Sequence, residues 1–575
     1  MKDRTEMSND PNGNPQKTTD PSLTERVLAL RTNMVPLLRT VVVPFVLRSL
    51  PGLAAGLLGA LAATFIMGVL RLTLGSPTLP ELVGERILPT MSAGNFVALL
   101  LQFSPHQKTG PLSLALLGQI ALGLLIGPLY VIISREYTPV GRWPARRGLL
   151  TAAGIALAME VVATALFWPV LAEGTTGDPV GRARLLTLFS MALIFVTFAG
   201  VTMLANHWLA GAWPSLTRTS GLPQNNVAAA DPVLERREAL RTAGLFAVAV
   251  VVGGLGISRL IDAYLSRSNL SYEGIAVPVM DTDPITKPED FYVVSKNALD
   301  PEVAVGRWQL EIGGLVKQSL TWNYQQLRAL PSESRAITME CISNQVGGRL
   351  MSTAAWTGVP LKTILDAAGI PDPAGKHVAF FSVDGFASSL PLADVLEAQA
   401  LLAWDMNGAP LPPRHGYPLR VVMPGRYGEQ SPKWLTRIEV IDYDYKGFYQ
   451  SQGWNAGQLS TTSRFDFPQA GTVALSGPNA PTDRTVRGIA FAGIRGIQRV
   501  EVSADAGQTW SDATLSPAQS IHSWVFWRWQ QLQPGDYTLV VRATDGTGTV
   551  QTTKRRGTVP QGSTGRHTVT VQVTA

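Results

Sequence analysis

Residues 339–348 read Met-Glu-Cys-Ile-Ser-Asn-Gln-Val-Gly-Gly, and Cys341 within them is the one cysteine of the 575-residue chain. Because there is no second thiol, an intramolecular disulfide and a cysteine-rich zinc cluster are both excluded. Cys341 is therefore either a small packing residue or a lone soft ligand, and a single buried cysteine is more often the former. The sequence around it must decide between these interpretations.

The N-terminal half carries apolar stretches that are long enough to cross a membrane. Only 16% of the residues are charged, against about 25% in a typical soluble protein. A hydrocarbon core about 30 Å thick needs roughly 20 apolar residues in a helix. We therefore predict an all-α transmembrane domain over 49–258 with about five spans, at residues 49–70, 111–134, 148–172, 185–209 and 243–258.

Lysine and arginine placement predicts the orientation of these spans. Basic residues are concentrated in 1–48, 135–147 and 236–241, which assigns these segments to the cytoplasmic side. This alternation requires the apolar stretch 96–103 to lie on the membrane surface or to re-enter, and a sixth span at 91–103 is the alternative. An odd number of spans predicts a multi-pass membrane protein whose residues after Ser258 are extracytoplasmic.

Arg236 and Arg237 precede the last apolar stretch directly. This pair resembles a twin-arginine export signal placed inside the chain, and that pathway carries folded, cofactor-loaded proteins. Ordinary anchoring by positive charges on the cytoplasmic side is the alternative.

The C-terminal half has a different pattern, with short alternating apolar segments bounded by Gly, Pro, Asn and Asp, which is typical of strands and turns. Only segments such as 361–368 and 391–399 have helical spacing. We predict a linker at 259–289, a mixed α+β catalytic domain at 290–463 and an Ig-like β-sandwich at 464–575.

Several motifs of this half, in the same order, resemble the sulfite oxidase family of molybdenum enzymes. They are Glu340 to Asn344, followed by Ala355 to Leu361, then His415 to Arg420, Pro424 to Gly428 and Lys433 to Leu435. The sandwich resembles the family's dimerisation domain, which implies a possible homodimer. The resemblance implies a molybdopterin-dependent oxidoreductase, that is, an oxo transferase.

The resemblance also implies roles for individual residues. Cys341 would be the metal ligand, and a thiolate suits a molybdenum centre because soft sulfur donors favour it. Cofactor-anchoring positions would be Asn344, His415, Arg420, Ser431 and Lys433. Independently of the family, Arg420 offers a fork donor, Lys433 a point charge and residues 424–432 a loop of backbone N–H groups for a phosphate.

One departure from the family concerns the substrate. Members that oxidise sulfite hold the dianion with arginines, one of them five residues beyond the ligand cysteine, where this chain has Val346. In sequence, Arg495 falls close to the position of a further substrate-facing arginine of the family, but the loop in this chain looks one residue shorter. We therefore expect Asn297 and Gln345 to contact substrate, and a sulfoxide to suit the pocket better than sulfite.

Electrons must reach or leave the site through a partner. His106 and His207 are too far apart in the predicted topology to share one iron, so no haem is predicted in this chain. A quinone or cytochrome is the expected redox partner, with lipid around the membrane domain. Glu160, at mid-membrane, is a candidate for proton movement or quinone contact, or a buried structural residue.

Three alternatives remain open. The first is a sulfite-oxidising enzyme, the second is a cofactor-free membrane transporter, scaffold or binding protein, and the third is a thiol enzyme that uses Cys341 as a nucleophile with His377 or His415 as base. Trp524, Trp527 and Trp529 suit sandwich packing, and we expect no nucleic-acid partner.

Overall fold

The computed structural model describes most of the chain, with gaps in the N-terminal half. The residues described are 43–87, 90–92, 95, 109–135, 143–171, 177–178, 180–212, 232–265, 283–295, 300–477 and 480–575.

The N-terminal half of the described chain is helical. Its helices are α1 Val43–Leu74, α2 Leu79–Ile87, α3 Thr109–Ser134, α4 Arg146–Phe167, α5 Val180–Ala212 and α6 Pro232–Leu265. Five of them, all except α2, are long and apolar enough to cross a membrane, which confirms the predicted number of candidate spans. Large side chains such as Leu125 and Leu185 are exposed on them, as expected of a lipid-facing surface. Residues 96–103 lie outside the described part.

Contacts divide the chain into two compact units. One consists of residues 1–62, 120–155 and 198–252, and the other of residues 63–119, 156–197 and 253–575. In the first, small residues let helices approach closely: a Cβ on Gly56 would lie 3.0 Å from the Cα of Gly127. In the second unit, Asp178 follows helix α4 in the chain. Its Oδ1 atom is ion-paired with Nε of Arg307, in the C-terminal half of the chain, at 2.8 Å.

The strands between Gln309 and Ile441, in the predicted catalytic domain, form two sheets. One has the strand order β2-β1-β10-β5-β6, and the other has the order β3-β4-β7-β8, with β9 paired to β7. The strands are β1 Gln309–Gly314, β2 Leu320–Asn323, β3 Glu333–Glu340, β4 Met351–Pro360, β5 His377–Ser382, β6 Ala387–Pro391, β7 Leu401–Met406, β8 Ala409–Pro410, β9 Arg420–Val422 and β10 Leu435–Ile441. Three short helices accompany them: α7 Tyr324–Arg328, α8 Leu361–Ala368 and α9 Leu392–Glu397.

Helix α8 shows how the sequence builds this core. Leu361, Ile364, Leu365 and Ala368 recur at helical spacing, and all four are buried. The helix ends at Gly369, whose φ of +71° is a left-handed conformation that glycine adopts without strain. The buried face joins one hydrophobic core with side chains of both sheets.

The C-terminal domain is a sandwich of two sheets, ordered β11-β13-β17-β16 and β12-β19-β18-β14-β15. Buried residues of both sheets, including Trp527 and Val541, form its core, so that Trp527 has the packing role expected of it. Classification of the sandwich as Ig-like stays a prediction. The strands are β11 Thr462–Phe467, β12 Gly471–Ala474, β13 Thr485–Phe491, β14 Ile497–Ser503, β15 Ser511–Asp512, β16 Thr514–Leu515, β17 Val525–Gln531, β18 Gly535–Asp545 and β19 Thr568–Thr574.

Asp545, at the end of β18, is predicted to stabilise the sandwich. Its carboxylate is 2% exposed and accepts hydrogen bonds from Arg495 Nε at 2.8 Å, from Thr461 and from the turn after β18. Asp545→Asn leaves Arg495 without its counter-charge, so we expect the free energy of unfolding to fall by about 3 kcal/mol, measured by thermal denaturation in detergent. The exposed Asp512→Asn is the control, and equal stability of both variants would contradict the prediction.

The same carboxylate gives a pH dependence. Although burial acts in the opposite direction, hydrogen bonds from Thr547 and Arg495 lower the pKa of Asp545 from 3.8 to about 2. Because the folded pKa is depressed, this stabilisation is present above pH 3.8 and is lost as the pH falls through about 2. We expect the difference in stability between the wild type and Asp545→Asn to shrink over this interval.

Candidate functional site

Cys341 lies at the end of β3, in a tight loop that leads to β4. Its backbone N–H donates to the carbonyl of Leu350 at 3.0 Å, and its own carbonyl accepts from Asn344 N–H at 2.9 Å. The Cys341 side chain is 7% exposed. The loop therefore presents the thiol as a fixed, nearly buried group.

The terminal sandwich holds this cysteine loop in place. Arg464 Nη1 donates to the carbonyl of Gly348 at 2.9 Å, and Ser563 Oγ donates to the carbonyl of Asn344 at 2.7 Å. Gly347 has φ +79°, and a Cβ there would clash with the ring of His567. Both the backbone conformation and the space therefore require glycine at this position.

Six of the predicted site residues line one cavity of about 260 Å³, close to the lower limit of typical ligand pockets. They come from separate parts of the catalytic domain, the loop after β3 and the segment from His415 to Lys433, and the fold of that domain brings them together. The six residues are Cys341, Gln345, His415, Arg420, Ser431 and Lys433.

Arg420 is the buried cation of the cavity, at 4% exposure. Its guanidinium donates to the carbonyls of His415 at 2.9 Å and Ser431 at 3.1 Å, and it lies 5.0 Å from the ring centre of Trp356. Burial lowers the pKa of Arg420 to about 10, which leaves it charged at neutral pH. Its described hydrogen-bond partners are backbone carbonyls, so its positive charge is available to an anion.

Lys433 and His415 lie beside this guanidinium. Lys433 Nζ donates to the carbonyl of Arg414 at 3.1 Å. Burial lowers the pKa of His415 to about 3, so its ring is neutral, and Nε2 donates to the carbonyl of Pro288 at 2.7 Å. The other ring nitrogen is then an acceptor.

Ionisation of Cys341 in the ligand-free chain is unfavourable. Burial, with the nearby Glu429 carboxylate as the second cause, raises the pKa of the thiol to about 12. A neutral thiol is a weak nucleophile, whereas coordination to a metal deprotonates it outright. The raised pKa of the thiol therefore favours a role of Cys341 as a metal ligand over a role as a nucleophile.

Two of the other predicted residues have different surroundings. Asn344 does not line the cavity: its amide donates to Glu340 at 2.9 Å, and its carbonyl oxygen accepts from Leu350 N–H at 3.0 Å. It therefore supports the cysteine loop from behind. Asn297 lies outside the described residues, and its expected role stays a prediction.

Sequence reasoning missed several polar residues of the cavity wall. Glu429 lies in the glycine-rich loop 424–432. The sequence pattern predicts a role only for the backbone N–H groups of this loop, and none for the Glu429 side chain. Tyr292 and Tyr449 lie far from any motif in the chain, and only the fold brings them to the cavity. The missed polar side chains are Tyr292, Ser343, Asp384, Arg414, Glu429, Tyr449 and Thr558.

Two known families match segments of the C-terminal half. Residues 297–449 match the family described as "Oxidoreductase molybdopterin binding domain". Residues 460–560 match the "Mo-co oxidoreductase dimerisation domain".

The chain is also similar in sequence to individual oxidoreductases. The chain is 29% identical to the mitochondrial sulfite oxidase of Mus musculus over 325 residues, which cover 48% of this chain and 58% of that protein. It is 32% identical to the "Uncharacterized oxidoreductase YuiH" of Bacillus subtilis over 149 residues, 26% of this chain and 73% of the relative. The chain belongs to the sulfite oxidase family. This chain thus spans little more than half the length of the mouse relative.

Among solved structures, the chain partly matches the sulfane dehydrogenase SoxCD from Paracoccus pantotrophus. Its TM-score is 0.44 at 23% identity, and the match covers 51% of this chain and 82% of that one.

The cavity residues fit the molybdenum–pterin cofactor of the sulfite oxidase family. Cys341 offers a soft sulfur ligand at one wall, and Arg420 and Lys433 offer donors for a phosphate. The buried Tyr292 hydroxyl lines the cavity and has no hydrogen-bond partner among the described residues. A buried polar atom of this kind is expected where a ligand supplies the missing partner.

Proposed function

We propose that this protein is a membrane-anchored molybdenum oxidoreductase that transfers an oxygen atom at an extracytoplasmic site. The observation that carries the proposal is the meeting of Cys341, His415, Arg420, Ser431 and Lys433 around one cavity. The buried Cys341 thiol and the buried Arg420 guanidinium line the same cavity, which suits a metal with an anionic cofactor better than a cofactor-free binding protein. The domain limits given from the sequence are part of this proposal.

Each residue has a role that follows from its position. Cys341 holds the metal, Arg420 and Lys433 hold the phosphate, and Ser431 fixes the loop, since its Oγ accepts from Met423 N–H at 3.0 Å. His415 holds the wall through its bond to Pro288. When bound, the cofactor supplies two-electron redox chemistry and exchange of an oxygen atom.

We propose a sulfoxide as the substrate. Val346 adds no positive charge, and Arg495 does not line the cavity because its guanidinium bonds Asp545, Thr461 and Leu459. Aromatic side chains such as Trp454 contribute an apolar wall that suits a thioether product. Sulfite oxidation is the second candidate, supported by the names of the relatives and by the cations Arg414 and Lys433 in the cavity wall.

Metal and substrate assays on purified full-length protein test the proposal. We expect molybdenum and pterin in protein made in a host that synthesises the cofactor, and higher turnover with methionine sulfoxide and a reductant than with sulfite and an oxidant. Absence of both metal and pterin would refute the enzyme. Faster sulfite oxidation would assign the second candidate.

The membrane half, on this proposal, brings a quinone or cytochrome to the catalytic half. The five apolar helices support it, as does the ion pair between Asp178 and Arg307. Glu160 lies on α4 and bonds Thr164, and its function there stays a prediction. The match of residues 460–560 to a dimerisation domain supports a homodimer, measurable by light scattering in detergent.

Export is predicted to depend on Arg236 and Arg237, which lie in α6. If this pair is a twin-arginine signal, replacing both with lysine keeps the charge but should abolish export of the folded catalytic half. A reporter fused after Ser258 measures the result, and Arg241→Lys is the matched control. Undiminished export of the double variant would show that the pair serves only as a membrane anchor.

A further inference from the structure

Glu429 is a cavity residue whose carboxyl group has no hydrogen-bond partner in another of the residues that the structure describes. It lines the same cavity as Cys341 and stands two positions before Ser431 on the loop between β9 and β10. Both carboxyl oxygens are buried, and neither has a hydrogen-bond partner in another described residue.

The loop holds Glu429 in place by several contacts. Tyr427 forms a parallel bridge with Glu340, the neighbour of the ligand cysteine, and Gln430 N–H donates to the Tyr427 carbonyl at 2.9 Å. A Cβ on Gly428 would lie 2.5 Å from the hydroxyl of Tyr292. The backbone on both sides of Glu429 is therefore fixed, and its side chain projects from a rigid loop.

Burial of such a group has a cost that requires an explanation. A carboxyl group removed from water without a partner is destabilising by several kcal/mol, and native proteins rarely retain one. Burial raises the pKa of Glu429 to about 8. No side chain of the cavity wall relieves this cost by a hydrogen bond, since neither carboxyl oxygen of Glu429 has such a partner among the described residues.

The order of polar groups along the loop indicates which ligand group would bind the Glu429 carboxylate. An acceptor at Glu429 is followed by a hydroxyl at Ser431 and a cation at Lys433. A pterin with its phosphate has the complementary order, because the pyrimidinone ring carries N–H donors and the phosphate carries negative charge. A carboxylate with two free oxygens can accept from two neighbouring N–H groups.

We propose that Glu429 binds the N–H edge of the pterin ring. The inference rests on the proposed function, since it requires a bound pterin. It adds a recognition residue for the ring to the groups already assigned to the metal and the phosphate. In this role the carboxylate recovers the hydrogen bonds that the ligand-free protein lacks, and these charge-assisted bonds contribute to cofactor affinity.

Cofactor content tests the proposal independently of turnover. Glu429→Gln keeps the size of the side chain but removes the charge and turns one acceptor into a donor. We expect molybdenum and pterin per purified chain to fall at least tenfold, with a smaller loss in Glu429→Asp. Glu397→Gln, which removes an exposed charge from the same domain, should load like the wild type.

Thermal unfolding distinguishes ligand binding from a structural role. Glu429 makes no hydrogen bond to another described residue and its burial is itself costly, so protein prepared without cofactor should unfold at the same or a higher temperature with glutamine at this position than with glutamate. A lower unfolding temperature of ligand-free Glu429→Gln would overturn the proposal.

The remaining outcomes are decisive too. Full loading of Glu429→Gln with a slower, differently pH-dependent turnover would overturn ring recognition in favour of proton transfer. Full loading with unchanged turnover would overturn any role in the site. A wild-type chain without molybdenum and pterin would refute the proposed function itself, whereas a loaded wild type beside an equally loaded variant refutes this inference alone.

Discussion

Cys341→Ser should lose about 100-fold or more of its oxo-transfer turnover while keeping its fold. Cys341 is buried in the loop after β3 and lines the cavity, and serine fills nearly the same space. A serine hydroxyl is a harder donor than a thiolate, so the metal loses its protein sulfur ligand. Loss of residues that only support a ligand typically costs 10–100-fold, so loss of the ligand itself should cost more.

Three measurements check this prediction. Turnover and molybdenum content are compared with Met339→Leu, a volume-conserving change in the same cavity wall, which should stay near the wild type. The wild-type thiol should resist alkylation when the metal is bound and react after the cofactor is removed. Full oxo-transfer activity in Cys341→Ser would disprove the ligand role, and rapid alkylation of the loaded protein would favour a thiol enzyme.

Arg420→Gln is expected to have the second largest effect, on both cofactor loading and stability. The guanidinium joins the loop at His415 to the loop at Ser431 by two hydrogen bonds, and glutamine spans only one of them. Because a hydrogen bond to a charged group contributes about 1.5–3 kcal/mol, we expect the free energy of unfolding to fall by about 2–3 kcal/mol. We expect molybdenum content to fall at least tenfold, because the phosphate loses its fork donor.

Arg420→Lys separates charge from geometry. Lysine keeps the positive charge but has no planar fork, so we expect loading between that of the wild type and that of Arg420→Gln. Arg437→Gln, at a partly exposed strand position, is the control for removal of an arginine from the same domain. Wild-type molybdenum content in Arg420→Gln would show that Arg420 does not bind the cofactor.

Much of the site was predictable because its residues lie in short motifs. Cys341, His415, Arg420 and Lys433 each stand in a recognisable local pattern, and these patterns occur in a specific order. The five candidate spans were predictable for a related reason, since length and apolar composition are properties of continuous segments.

Other features of the site depend on residues distant in the chain. Tyr292 precedes Cys341 by 49 positions, and Arg464 reaches the cysteine loop from the terminal sandwich. No local pattern predicts these contacts, because they join residues that only the packing of the catalytic domain, and of the sandwich against it, brings together. The supporting position of Asn344, behind the cavity wall, likewise follows from its bonds to Glu340 and Leu350.

The sequence by itself determined the five apolar candidate spans of the first half and the family of the second half, and it singled out Cys341 as the proposed metal ligand. Those conclusions depend on composition, order and residue type, which need no coordinates. Only the tertiary structure decided that Arg495 bonds within the sandwich, and that both carboxyl oxygens of Glu429 are buried with no hydrogen-bond partner among the described residues. Burial and hydrogen-bond satisfaction depend on every neighbour in space, and a linear pattern does not contain them.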